Sequence, residues 1–185
     1  MECGTAKSTR HARSTNNRPG NTGSYRCKIF ATDAFSIIAN GNITTGQIRI
    51  GSTTATDHGN YNITRTSESG HNQAFTAKPD SIRFWAKFKC PSETQEARMS
   101  ATIHDNYDFR DPNGSDAGAT NHIVGTAVHN FSRGDQEWTQ YMIPFEYNSL
   151  GNIPAYILLT FTTNKEPGQG SILDTLYIDD IEFVY

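Results

Sequence analysis

From residue 25 onward the chain alternates between short apolar-rich runs and clusters of Gly, Asn, Asp, Ser and Pro, the pattern of strands joined by turns. Eight strands are expected, over 25–31, 46–51, 81–89, 96–105, 122–131, 138–147, 155–164 and 172–185. Alternation is clearest from Ser81 to Phe88: Ile82, Phe84, Ala86 and Phe88 share one face, and Arg83, Trp85 and Lys87 share the other. The next strand repeats the logic, with Ala97, Met99, Ala101 and Ile103 opposed to Arg98, Ser100, Thr102 and His104. Tyr141, Ile143, Phe145 and Tyr147 alternate with Gln140, Met142 and Glu146. The run 156–161 is apolar on both faces, as an inner strand covered on each side would be. No internal repeat and no domain boundary interrupts the series, and no segment makes a convincing helix. The prediction is an all-β, two-sheet sandwich.

Composition supports this class, since 15 Gly, 7 Pro and 18 Phe plus Tyr among 185 residues favour strands and turns over a helical bundle. Charge is unevenly spread. Residues 1–28 hold six Lys/Arg and the single acid Glu2, which leaves ten Lys/Arg and eighteen Asp/Glu in residues 29–185, a net of −8 against −3 for the whole chain. An acidic body repels phosphate backbones, so no nucleic-acid partner is expected. No run approaches the roughly 18 apolar residues of a membrane span, and residues 1–24 lack the apolar region of a secretory signal. Residues 1–19, polar and without periodicity, are read as a disordered or truncated lead-in to a domain over 20–185. Cys3, Cys27 and Cys90 have neither zinc nor disulfide-framework spacing and are read as buried thiols.

Four segments in order carry a family resemblance: Gly-Asn-Ile-Thr-Thr-Gly at 41–46, Lys-Pro-Asp-Ser-Ile-Arg-Phe-Trp-Ala-Lys-Phe at 78–88, Trp138 with Ile-Pro-Phe-Glu-Tyr at 143–147, and Leu-Tyr-Ile-Asp-Asp-Ile-Glu-Phe-Val-Tyr at 176–185. Together they resemble the PCMD carbohydrate-metabolism domain found at the C-termini of Bacteroidetes surface proteins. The resemblance implies a β-jelly-roll of the galactose-binding-like superfamily, a secreted or cell-surface setting, and carbohydrate or another surface protein as partner. It supplies no catalytic residues.

A glycan site on such a fold needs aromatic faces for the apolar side of a sugar ring and planar polar groups for its hydroxyls. Trp85, between Arg83 and Lys87 on the non-core face, is the leading candidate, with Arg98 and His104 beside it if their strand belongs to the same sheet. The bland alternative is that Trp85 lies under a loop, with Lys87 extended over it. Trp138, at a strand start, reads as a core residue. Asp179 in the last strand would share a face with the apolar Tyr177, Ile181, Phe183 and Tyr185 and must find a partner there. The resemblance implies a structural Ca²⁺ at Asp179; backbone N–H groups or an arginine are the alternatives. Asp105, Asp108, Asp111 and Asp116 crowd one loop, where two could act as the acid and base of a glycoside hydrolase or simply make a solvated turn. The primary expectation is a non-catalytic carbohydrate-binding module, with a hydrolase using the 105–116 carboxylates, and a protein-interaction scaffold, as the other two classes.

Overall fold

The computed structural model describes residues 10–185 apart from 22, 35, 36 and 115. In chain order its strands are β1 (His11–Ser14), β2 (Arg26–Phe30), β3 (Thr32–Ala34), β4 (Ile37–Ala39), β5 (Asn42–Thr44), β6 (Gln47–Ile50), β7 (Asn60–Ile63), β8 (Ser81–Lys89), β9 (Ala97–His104), β10 (Arg110–Asp111), β11 (Ile123–Phe131), β12 (Thr139–Pro144), β13 (Glu146–Tyr147), β14 (Tyr156–Thr162) and β15 (Thr175–Val184). A 3-10 turn at Ala119–His122 precedes β11. The fold is all-β and its pairings are antiparallel. One sheet has the order β1-β2-β15-β8-β12, a second the order β13-β11-β9-β14-β5, with a three-stranded sheet β10-β7-β6 and a β3-β4 ribbon.

The two five-stranded sheets share one core. The alternation read at 82–88 and 97–103 is the observed one: Ile82, Phe84, Ala86 and Phe88 from β8 meet Met99, Ala101 and Ile103 from β9, all fully buried. Phe84 sits at the centre, edge-on to Phe131 and Phe161 of the second sheet at 6.1 and 5.4 Å. Each such side chain removed from water contributes about 1.5–3 kcal/mol, so this apolar layer holds the sheets together.

The last strand departs from simple alternation. Leu176 and Ile178 face the core, which puts Tyr177 and Asp179 on the outer face. A β-bulge follows: Asp179 pairs with Trp85 and Glu182 with Arg83, so Asp180 and Ile181 together oppose the single residue Phe84. Asp180 takes φ of 45°, and beyond it Phe183 returns to the core side. Asp179 is therefore not among the core residues with which strict alternation had grouped it.

The small sheet lies against the outer face of the second sheet. Asn62 of β7 accepts a hydrogen bond from Asn42 Nδ2 at 3.1 Å, and Asp111 of β10 accepts one from Ser100 Oγ at 3.1 Å. Leu158 of β14, Phe109 and Ala119 make a second buried cluster there, covering the outward side of the run whose two faces are both apolar. Within the expected lead-in of residues 1–19, His11–Ser14 pairs with β2 as the edge strand of the first sheet.

Candidate functional site

The structure separates the expected saccharide residues onto opposite outer faces. Arg83, Trp85 and Lys87 project from the first sheet; Arg98 and His104 project from the second, because β8 and β9 belong to different sheets. His104 is fully buried. Its imidazole lies between Phe109 and Tyr156, at 5.3 and 5.9 Å, with Nδ1 2.8 Å from the Asp105 carbonyl and Nε2 2.9 Å from Thr64 Oγ1. A side chain so enclosed packs the small sheet onto the second and has no surface for a ligand. Arg98 stands half-buried on the same outer face, in register between Asn130 and Thr162.

On the first sheet, Trp85 is partly covered. The Arg18 guanidinium lies 5.1 Å from its ring centre, and Arg18 also binds both Asp179, at 3.1 Å from Nε, and Asp180. Arg83 pairs with Glu182 at 2.5 Å, and the nearly buried Lys87 reaches towards Glu137 at 3.9 Å. Trp138 is not a core residue: its Nε1 donates to Asn16 Oδ1 at 3.1 Å and its ring meets Tyr177 edge-on at 6.1 Å, both on the outer face. An open cleft of about 440 Å³ runs between residues 16–19 and the wall formed by Lys87, Glu137 and Trp138. Asp179 has arginine partners, Arg18 and the buried Arg26, whose Nε lies 2.7 Å away. Two guanidinium groups on one carboxylate make a donor set unsuited to Ca²⁺, and no group of three or more His, Cys, Asp or Glu placed to hold a metal occurs among the described residues.

The acidic loop is tied down carboxylate by carboxylate. Asp105 accepts from His122 Nδ1 at 3.0 Å. Asp108 accepts from both the backbone N–H and the hydroxyl of Thr66, at 2.9 and 2.7 Å, with Arg65 3.6 Å away. Burial alone would raise the Asp108 pKa, but these hydrogen bonds and the Arg65 charge outweigh it, and the carboxyl is held below its usual value. Asp111 binds Ser100, and Asp116 accepts from the Tyr107 hydroxyl at 2.7 Å. The Tyr107 ring lies parallel to His122, with centroids 3.8 Å apart. Three of the loop's four carboxylates are thus fixed by groups from elsewhere in the chain, and the fourth, Asp116, by Tyr107 of the loop itself. His122 in this role was not foreseen, because its only sequence signal was a position at the start of a strand.

No family model and no curated protein matches the chain. Among solved structures it is similar to a protein of Bacteroides thetaiotaomicron described as a "putative glycoside hydrolase", with a TM-score of 0.68 and 16% identity over 96% of this chain and 57% of that one. A second protein so described, from Bacteroides vulgatus, matches with a TM-score of 0.66 and 16% identity over 95% of this chain and 77% of the other. At that identity the likeness is one of fold. The relationship to these Bacteroidetes proteins is distant, and the chain spans little more than half of the first.

Proposed function

We propose that the chain is a jelly-roll domain of a carbohydrate-processing protein of glycoside-hydrolase type, related to the PCMD domain of Bacteroidetes surface proteins, with its working carboxylates in the 105–116 loop. The strand order supports the jelly-roll assignment. Counting β2, β5, β8, β9, β11, β12, β14 and β15 as one to eight, the order 1-8-3-6 faces 2-7-4-5, the arrangement of two interlocked Greek keys. The observation that carries the functional reading is the separate anchoring of each loop carboxylate. A mobile loop cannot hold an acid and a base at the fixed separations glycoside cleavage requires, about 5 Å or 6.5–9.5 Å, whereas an anchored one can. Asp108, held in its charged form, suits the base or nucleophile; Asp111, fixed on Ser100 over the second sheet, is the other carboxylate assigned to the chemistry. The fold likeness to the two Bacteroides proteins points the same way.

A screen for reducing sugar released from soluble polysaccharides tests this reading. Activity is expected, with Asp108→Asn and Asp111→Asn each lowering kcat by about 10²-fold or more. Binding without release would reduce the domain to a recognition module; neither binding nor release would overturn the carbohydrate reading. One observation favours recognition as a second reading: the cleft beside Trp138 and Lys87 offers an indole and charged groups without any anchored carboxylate pair. In that case Trp138→Ala abolishes binding and the two aspartate variants leave it intact.

A further inference from the structure

The outer face of the first sheet carries a constellation that the carbohydrate reading does not use. Trp85 supplies an indole face, and Asp179 and Asp180 supply two carboxylates. In an unbroken strand successive side chains point to opposite faces, so neighbouring aspartates would not converge. The bulge and the positive φ of Asp180 bring both to one guanidinium. Beneath them the side chain of Arg26, 2% exposed, contacts Asp179 and fixes it from the sheet side. The group received is Arg18, whose side chain is 14% exposed and satisfies ring and carboxylates together.

Arg18 lies beyond β1, whose approach is held through Arg10: its carbonyl accepts from the Phe30 N–H and its Nε donates to Thr32 Oγ1, both at 3.0 Å. β1 itself is exposed along His11, Ala12 and Arg13 and pairs only with β2. Between β1 and Arg18, Asn16 is tied to the body of the domain by the hydrogen bond its Oδ1 accepts from Trp138 Nε1. Residues 1–19 hold Lys7, Arg10, Arg13 and Arg18 against the single acid Glu2, a net of +3, and residues 20–185 carry a net of −6, so arm and body attract.

We propose that Trp85, Asp179 and Asp180 form an arginine-receiving site, and that Arg18 is the plug by which the N-terminal arm latches over the outer face of the first sheet. The chemistry selects a guanidinium: planar, permanently charged, able to stack on an indole while its edge donates to two carboxylates. A lysine ammonium stacks less well and cannot present a planar fork. With the plug seated, Arg18 lies over the half-buried Trp85 and the cleft beside Trp138 is bounded by the arm; with the plug withdrawn, Trp85, Tyr177 and Trp138 form a continuous aromatic surface. This inference stands apart from the carbohydrate reading, since it concerns an intramolecular contact.

The test uses the full chain and no saccharide. Arg18→Ala, Arg18→Lys and Asp180→Asn are compared with wild type for acrylamide quenching of tryptophan emission and for the rate of tryptic cleavage after Arg13. Arg18→Ala is expected to raise the quenching constant about two-fold and the cleavage rate about ten-fold, with Arg18→Lys and Asp180→Asn between it and wild type. Unfolding midpoints check that each variant is folded at the assay temperature. Equal quenching and equal cleavage in wild type and Arg18→Ala would overturn the latch, and full retention of both properties by Arg18→Lys would overturn the selectivity for a guanidinium.

Discussion

His104 shows how one residue can fit an expected face and still have a different task. Alternation put it on the outer side of β9, and it is there, but the small sheet has closed over it. The Asp105 carbonyl accepts the Nδ1 proton and the Thr64 hydroxyl donates to Nε2, which specifies the neutral ring. Burial disfavours the charged form and lowers the pKa to about 4; the Asp105 carbonyl and the nearby charges of Asp105 and Asp108 offset only part of this, and His122 adds to it. In the unfolded chain the imidazole titrates near 6.5, so between about 6.5 and 4 the unfolded state binds more protons and stability falls as pH falls. The contribution is fully present above pH 6.5 and amounts to about 3 kcal/mol. Chemical denaturation from pH 7 to pH 4 is therefore expected to show a smaller loss of stability in His104→Gln than in wild type; parallel profiles would contradict this account. Nothing in the sequence distinguished a covered His104 from an exposed one, since the residues that cover it, Thr64 and Phe109, lie 40 positions before it and in the loop after it.

At the scale of elements, alternation was a sound guide wherever strands are regular. Strands occur at all eight expected places, and β8 and β9 turn the expected faces inward, but the expected strand over 138–147 is broken at Phe145 into β12 of the first sheet and β13 of the second. It misled in β15, where a single extra residue reversed the faces, and a bulge leaves no composition signal of its own. The short strands β5 and β7 were also missed; their Asn- and Thr-rich sequences read as loop, and their pairing depends on the sheet they join. The glycines bounding 41–46 do have a physical reason. A Cβ on Gly41 would lie 2.6 Å from the Phe30 carbonyl oxygen and 2.7 Å from Ile29 Cγ2, and one on Gly46 would lie closer still to the Ile63 carbonyl oxygen and 2.7 Å from Leu158 Cδ1. At both positions the obstacle includes backbone, which cannot rotate away. Gly41→Ala is expected to lower the stability measured by urea unfolding by about 1–3 kcal/mol. Gly70→Ala, with open space around the new methyl, should stay within about 0.5 kcal/mol of wild type. Equal losses in the two variants would refute the close-approach explanation.

At the scale of the whole molecule, the two five-stranded sheets present unlike outer faces. One carries Trp85 beneath the basic arm; the other carries Arg98 and an acidic loop anchored over a small sheet. The sequence drew attention to Trp85 and to the crowd of aspartates, yet the assignment of neighbouring strands to opposite sheets decides which side chains meet, and that is set by long-range pairing. The charge asymmetry was legible from the start, although its structural meaning, an arm seated on an acidic body, required Asp179 and Asp180 to converge. The central claim is that a saccharide is handled at the 105–116 loop. The most direct measurement is a ¹H–¹⁵N shift map of the full chain titrated with a soluble oligosaccharide taken from the polysaccharide screen. The account predicts that the largest shifts fall on 105–122 and on Ser100 and Thr66, whose groups hold the loop carboxylates. Shifts confined to Lys87, Glu137 and Trp138, or no saturable shifts at all, would contradict it.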